Sequence, residues 1–576
     1  MPDAVELTLR EASRLAQAGA WREARDVLEN ALAAQPDATS LRGALVHCLL
    51  RLGNVDAALA AARQPTLLDD PTALAATLTD FGAAGAQDAC VELLRARAVR
   101  HPHDYRAALA LASALHGLGR PSEALPWAMR AHELHPHERQ PIEMRAAALI
   151  DRGDVEAGLA LYRELLARGD DRETAARHLV LMHYDPAQTN ESLFAALRSF
   201  AERHLPASGR SFAARRERNP QGPLRIGWLS PRFAAGPVAV FLTGLLRTFD
   251  RSRHRHLLIA LQPGGDAATA QLRGLADEWF DVAGLDDATL LQRLRALELD
   301  VLIDLAGHST ANRLAVVAER VAPLQVSWLD WFDTTAAPAM DAWISDAWLT
   351  PADSTQRFTE RVVRLPTGRF CYTPPDGAPP PTRGGDGPVV FASFNRLAKL
   401  NAEVLACWTA ILERVPGSSL HLAARLLDDP ATRAHTLERF AERGIPADRL
   451  RLSGQRPYAS LLAAYRDVDI ALDPFPFSGC TTTCDALYMG CAVVTWPGET
   501  FVSRQSASLL WRLGRKEWIA RDRADYVERA VAAANAVATL RADRAALRET
   551  VVARLADAAR HAHEFAEALA AVRDHA

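Results

Sequence analysis

The stretch "DPFPFSGCTTTCDALYMG", residues 473–490, carries the decision about the fold. "DIALD" (469–473) reads as a strand, "PFPFSG" as the loop at its carboxyl end, and "TTTCDALYMG" as a helix that stops at Gly490 before a second strand, "AVVTW". Strand, helix and strand in that order make a βαβ unit, the building block of a parallel sheet. The first turn of its helix presents N–H groups without intrahelical partners and the positive end of the helix dipole, and threonine hydroxyls add donors at the same point. A diphosphate therefore fits at Thr481 and Thr482. Asp485, four residues beyond Thr481 on the same face, can accept hydrogen bonds from ribose hydroxyls. Thr481 equally suits an ordinary helix cap, and Asp485 an ordinary solvated carboxylate. Cys480 and Cys484 suggest a metal instead, but a Cys-x3-Cys pair needs further ligands, and neither a second such pair nor a His-x3-His stands nearby. No metal is expected; the two cysteines read as packing residues or as the lining of a nucleotide pocket.

Outward from this unit the same alternation continues. "PVVFASF", "SLHLAA", "RLRLSG", "DIALD" and "AVVTWPG" alternate with helical runs across 388–576, and "LRIGWLS", "HLLIAL", "DVLIDLAG" and "LQVSWLDW" do so across 223–375. Between them "PPDGAPPPTRGGDG" (374–387) is too rich in Pro and Gly for either periodic structure. Two α/β lobes joined by a linker form a cleft, and ligands of open parallel sheets bind outside the carboxyl ends of the strands. The strand ends of both lobes are expected to face that cleft.

Before residue 200 the pattern is a repeat. Gly19, Gly53, Gly85, Gly119 and Gly153 are spaced by 34, 32, 34 and 34 residues, and Ala24, Ala58, Ala124 and Gly158 each follow a glycine by five, where two helices must approach closely. Pro102 and Pro136 are likewise 34 apart and close the second helix of successive units. That period belongs to stacked helix pairs, whose concave surface suits an extended peptide or a partner protein. A scaffold or homodimerisation arm is the alternative use, and the repeat alone does not choose between them. "HLPASGRSFAARRERNPQGP" (204–223) reads as the boundary between the 1–200 array and the α/β part.

Composition excludes several classes. The 576 residues are 49% hydrophobic and 24% charged, ordinary for a globular chain of about three domains. A formal net charge of −4, with both signs interspersed, offers no broad basic field for nucleic acid. "MPDAVELTLREASRLAQ" lacks a basic region followed by an apolar one, and no run reaches the roughly 18 apolar residues of a membrane span. A cytoplasmic protein with no membrane partner is expected, and seven scattered cysteines fit reduced thiols.

Several blocks, "FASFNRLAKLNAEVLACWTAIL", "DPFPFSGCTTTCDALYMGCAVVTWPGET" and "DVLIDLAGHSTANRLAVVAERVAPLQVSWL", occur in an order and spacing that resemble the O-GlcNAc transferase and SPINDLY family of protein glycosyltransferases. The resemblance runs from about residue 223 to the end, and the repeats, which themselves resemble tetratricopeptide repeats, match that family's layout. It implies a helical repeat array followed by a GT-B fold of two Rossmann-like lobes, transferring a sugar from a nucleotide diphosphate to a protein side chain without a metal or other cofactor. By the resemblance Lys399 contacts the diphosphate, Thr481 and Thr482 form the threonine pair at the helix start, and Asp485 binds ribose. Asn395 lies just upstream of Lys399, Arg396 stands where animal enzymes carry a nucleotide-contacting glutamine, and Arg456 in "SGQRPY" adds a candidate phosphate contact.

The departures concern the acceptor side. In "SPRFAAGPVAVFL" Gly236 replaces the family's histidine, and Cys480 stands where the O-GlcNAc enzymes have a donor-binding histidine. "SWLDWFDTTAAP" carries Asp330 and Asp333 in place of a Gly-Pro-Gly type segment, so that Gly236, Asp330 and Asp333 mark the acceptor side; the two aspartates either contact the acceptor or cap a turn. His308 in "LAGHST" is the remaining imidazole at a strand end and the candidate general base, or else a hydrogen-bonded structural residue. The expected function is transfer from a nucleotide-diphosphate sugar, UDP-GlcNAc or its like, to Ser or Thr of a protein held by the repeats, with flagellin or another bacterial protein as the acceptor. A GDP-fucose-type donor, a non-protein acceptor, and a non-catalytic peptide-binding scaffold are the alternatives.

Overall fold

Each glycine that marks the repeat sits where a helix stops and the chain reverses. In this computed structural model, which describes residues 4–206, 222–383 and 386–573, Gly19, Gly53, Gly85 and Gly119 have φ between +73° and +77°. That conformation is open to glycine without steric cost. The residue after each closes the helix by a backbone hydrogen bond five residues back: Ala20 to Leu15, Asn54 to Leu49, Ala86 to Phe81 and Arg120 to Leu115, each 2.9 Å. Antiparallel helices follow, among them Ala4–Gln17 with Trp21–Ala34 and Tyr105–Gly117 with Pro121–Leu134. Ala24, Ala58 and Ala124 are fully buried at the crossings. The irregular spacing around Gly85 has a local cause. The helix Val55–Ala62 has only 8 residues where Trp21–Ala34 and Pro121–Leu134 have 14, and Pro65 and Pro71 each open a further helix after it, Pro65–Asp69 and Pro71–Ala83.

One compact unit comprises residues 1–152 with the short segment Asp428–Thr432; the other comprises Gly153–Leu427 and Arg433–Ala576. The second unit therefore starts well before the expected boundary at 200. Its helices Val155–Arg168, Arg172–Met182 and Asn190–His204 precede the first strand, and Leu179, Met182, Leu193, Leu197 and Phe200 share a core with strand residues Leu257, Ile259 and Leu302. Their apolar stripes cover one face of a sheet, and burial, rather than repeat period, assigns them to it. The boundary segment expected at 204–223 lies largely outside the described residues.

Within this unit the first sheet holds β1 (Leu224–Ser230), β2 (His254–Ala260), β3 (Glu278–Asp281), β4 (Val301–Asp304), β5 (Leu324–Ser327), β6 (Ala342–Ser345) and β7 (Arg361–Arg364), in the order β3-β2-β1-β4-β5-β6-β7. The second holds β8 (Val390–Ser393), β9 (Ser419–Ala423), β10 (Leu450–Ser453), β11 (Ile470–Leu472) and β12 (Ala492–Val494), in the order β10-β9-β8-β11-β12. Every pairing is parallel. β4 and β5 are buried throughout, as parallel strands covered on both faces must be. These are the two Rossmann-like sheets of the GT-B expectation.

The strand order reverses between β1 and β4 in the first sheet and between β8 and β11 in the second. The crevice at such a reversal is where open α/β sheets bind ligands. The two sheets are tied together: Ser508 Oγ donates to Asp346 Oδ2 (3.0 Å), and the Phe501 N–H to Gln356 Oε1 (2.6 Å). The range 388–576 is not one lobe. Its last helix, Ala558–Arg573, returns to the first sheet, with the Phe565 ring 5.0 Å from Trp328 and 6.0 Å from Trp228.

Candidate functional site

At the reversal in the second sheet, the loops after β8 and β11 meet. The β8 loop turns through Asn395 and Arg396 into a short turn, Leu397–Lys399, whose Leu397 and Ala398 are buried and so hold Lys399 toward the β11 loop. Lys399 Nζ donates to Asn395 Oδ1 (3.0 Å) and to the Ser478 carbonyl (2.8 Å), and stands 4.7 Å over the Phe477 ring. Two of its three N–H donors are used in this way. Thr482 Oγ1 donates to the same Asn395 oxygen (3.3 Å), so Asn395, Lys399 and Thr482 form one hydrogen-bonded group. Burial lowers the Lys399 ammonium to about 8, with Asp473 opposing and Arg396 reinforcing the shift.

The helix that begins here, Thr481–Tyr488, has Cys480 as its N-cap with no side-chain capping bond, so its first N–H groups are not satisfied by the cap residue. The loop before it is braced by Asp473, whose Oδ1 accepts from Gly479 N–H (2.6 Å) and Oδ2 from Thr495 Oγ1 (2.7 Å). Asp485 is buried on this helix. Its Oδ1 accepts from Tyr372 (2.8 Å) and Tyr458 (2.7 Å), and burial raises the carboxyl to about 6. Neither tyrosine carries a motif in the sequence. Tyr458, which opens the helix Tyr458–Ala464 after β10, follows Arg456 by two positions, which was the available signal for it; Tyr372 comes from the other lobe and had none. Arg456 is exposed, with one nitrogen 3.2 Å from Ser453 Oγ.

Across the crevice, the strand ends of the first sheet hold the acceptor-side candidates. Gly236 starts the helix Pro237–Thr248 at φ +152°, and a β-carbon there would meet open space. Asp330 follows β5, with Oδ2 2.9 Å from Arg232 Nε and a side chain 22% exposed. Burial raises its carboxyl to about 6, against the pull of Arg232 and Arg396. Arg232, from the end of β1, is in ion-pair contact with it, and Arg396, from the end of β8, acts on it as a nearby positive charge.

Two expectations change here. His308 is buried to 2%, its Nε2 donates to the Thr335 carbonyl (2.8 Å), and its ring packs edge-on to Phe200 at 5.0 Å. Burial lowers it to about 4. It braces the loop after β5 and does not open to the crevice as a base must. Asp333 is also sealed, bonded to His183 (3.1 Å) and to the Thr334 N–H (2.7 Å), and holds the chain rather than an acceptor.

Cys484 is buried and Cys480 partly so, and burial pushes both thiols up. Among the described residues no three His, Cys, Asp or Glu side chains converge as a metal-binding group, and no helix is long and apolar enough to cross a membrane.

Residues 207–372 and 383–565 match the model of glycosyl transferase family 41, and residues 15–79 match a tetratricopeptide repeat. Over 391 residues, 66% of this chain, the sequence is 32% identical to a probable UDP-N-acetylglucosamine–peptide N-acetylglucosaminyltransferase SPINDLY of Solanum lycopersicum. A probable transferase of the same description, SEC of Arabidopsis thaliana, is 26% identical over 54% of this chain and 33% of its own length. The match spans 42% of the tomato protein, so the chain covers about two fifths of that relative's length. An O-GlcNAc transferase mutant of Thermobaculum terrenum superposes with a TM-score of 0.80 and 31% identity, over 87% of this chain and 97% of that one.

Proposed function

The chain belongs to glycosyl transferase family 41, and from that premise we propose that it is a protein glycosyltransferase acting without a resident metal. The observation that carries the reading is Lys399, held by Asn395 and the Ser478 carbonyl beside the N-terminus of Thr481–Tyr488 at the strand reversal. Breaking a sugar–phosphate bond leaves negative charge on the departing diphosphate, and preoriented donors that meet this charge lower the barrier most where water is excluded. Lys399 and the first-turn N–H groups supply those donors.

In this reading the nucleoside diphosphate lies with its phosphates on Lys399, Thr481 and Thr482. The ribose reaches Asp485, displacing or sharing the Tyr458 hydroxyl. Arg396 and Arg456 supply cationic edges toward the nucleotide. The donor is a UDP-GlcNAc-like sugar nucleotide, as the relatives' names suggest; Cys480 and Arg396 at donor-contacting positions make a GDP-fucose-type donor the second reading. The acceptor is Ser or Thr of a protein, a flagellin or another bacterial protein, selected by the repeats. Incubation with labelled UDP-GlcNAc and GDP-fucose, followed by intact-mass measurement of candidate acceptors, tests the proposal. A mass gain of one sugar is expected, and no gain with either donor would overturn it.

A further inference from the structure

The acceptor hydroxyl must lose a proton as it attacks the sugar, and with His308 sealed and Gly236 bare, the first lobe needs another group to take it. At the ends of β4, β5 and β6 stand Asp304, His308, Asp330, Asp333 and Asp346. Asp304, His308, Asp333 and Asp346 are 2% exposed or less, and each is committed to the fold: Asp304 to the Ala306 and Gly307 N–H groups, His308 to Thr335, Asp333 to His183 and Thr334, Asp346 to Ser508 and the Arg369 N–H. Asp330 alone among these five has a partly exposed side chain.

Its placement is fixed from behind. The Asp330 N–H donates to the Leu305 carbonyl at the end of β4 (3.1 Å), so the backbone cannot swing away. Arg232 lies 2.9 Å from Oδ2, a buried oxygen that receives no aligned hydrogen bond among the described residues, so Oδ2 is turned to the arginine and not to solvent. Oδ1 carries no hydrogen bond among the described residues and is not closed off in this way, so the carboxylate keeps accepting capacity on that oxygen, with Arg232 and Arg396 as the nearby positive charges. Resting on the transferase reading, we propose that Asp330 is the general base of this enzyme, taking the proton of the acceptor hydroxyl in the crevice between Arg232 and Arg396.

The step balances without a further reactant. The acceptor O–H proton passes to a carboxylate oxygen of Asp330, and the acceptor oxygen's electron pair forms the bond to the anomeric carbon. The bond from that carbon to the phosphate oxygen breaks, and its electrons leave on the diphosphate beside Lys399. A base whose proton affinity lies near the working pH is the effective kind. Burial has moved this carboxyl up to about 6, into the range an imidazole would occupy.

The charged groups facing it are Arg232 from the β1 end, Arg396 from the β8 end and the buried Asp304 from the β4 end, itself raised to about 6. Because an ionised Asp330 is required, transfer should fall as pH drops through about 6. Asp304 titrates in the same window, so the variants must separate the two.

The full-length protein is assayed with UDP-GlcNAc and GDP-fucose against a serine- and threonine-containing peptide library, read by mass spectrometry. Asp330→Asn is expected to lower kcat by about 100-fold or more, within the range typical of general bases, while UDP and GDP binding by calorimetry stays within threefold. The acidic limb should vanish in that variant, and formate should restore part of the transfer to Asp330→Ala. Arg232→Gln, which removes a cation beside the carboxylate, should move the limb to higher pH. Transfer by Asp330→Asn within threefold of wild type, or an unchanged acidic limb in it, would overturn the assignment and leave the transferase reading standing. Wild-type protein inactive toward both donors on every peptide would instead remove the transferase reading, and the base with it.

Discussion

His183 Nε2 lies 3.1 Å from Asp333 Oδ2, and both side chains are 2% exposed or less. The histidine belongs to the helix run ahead of β1, and the aspartate to the loop after β5 that also carries Asp330. His183 Nδ1 meets the Leu179 carbonyl (2.9 Å), and its ring lies edge-on to Phe332 at 4.7 Å. Phe332 in turn packs on Phe477, whose face holds the Lys399 ammonium. One buried pair therefore anchors a line of contacts that ends at the proposed diphosphate site.

Removing one member of that pair leaves the other buried without its side-chain partner, held among the described residues only by the Thr334 N–H or the Leu179 carbonyl. His183→Ala and Asp333→Ala are each expected to destabilise the protein by about 3–5 kcal/mol in denaturant unfolding. The double variant should lose less than the sum of the two. Additive losses would show that the pair is not coupled.

The helices Val155–His204 are part of the α/β body by their shared core, so truncations should separate cleanly. A chain starting at 153 is expected to fold and to bind UDP or GDP. One starting at 206 loses Leu179, Leu193, Leu197 and Phe200, each worth about 1.5–3 kcal/mol of burial, against a net stability of only about 5–15 kcal/mol. It should be insoluble or unfolded by circular dichroism; a native spectrum from it would contradict the assignment.

Lys399→Ala should leave secondary structure and melting behaviour close to wild type and reduce transfer by about 100-fold or more, because it removes stabilisation of the leaving diphosphate. Turnover within tenfold of wild type would exclude the lysine from that role.

The same lysine predicts a proton signature. Burial places it at about 8, so at pH 8 it is half charged, and a bound diphosphate raises it. Calorimetry of UDP or GDP at pH 8 in two buffers of different ionisation enthalpy should show uptake of about 0.5 proton. Affinity should weaken as pH rises above 8, the direction in which the free lysine loses its charge. No uptake and a flat affinity from pH 7 to 9 would contradict the placement.

At the helix start, Thr481→Val keeps the side chain's shape but removes a hydroxyl donor, an expected loss of about 1–3 kcal/mol in diphosphate binding. Cys480→Ser with Cys484→Ser should keep turnover within about tenfold while lowering stability, since the buried Cys484 site gains a hydroxyl. Chelators should not inhibit. A stoichiometric metal by elemental analysis, whose removal abolishes activity, would make the cysteines ligands instead.

Much of this molecule was readable from the chain alone because its cues are local. Five glycines at a helical-repeat period required a turn at each position, and all five have positive φ. The strands at the cores of both sheets were continuous apolar runs. β3 and β7 were not legible: each is four residues long, carries charges, and lies at a sheet edge, where only pairing with a neighbour defines a strand. β6, although fully buried, was also not read as a strand.

The candidate site divides along the same line. Asn395, Lys399, Thr481, Thr482 and Asp485 lie on two short segments at the ends of strands, so spacing and residue type sufficed to single them out. The roles of His308, Asp330 and Asp333 did not follow from spacing, since all three stand just beyond strands of one sheet with similar neighbours in sequence. Burial separated them. Two were closed off by partners distant in the chain, Thr335 and His183, and one was left partly exposed beside Arg232. Residue chemistry is set position by position, but solvent access and proton affinity depend on everything packed around a group, and that is decided only when the lobes and the preceding helices have assembled.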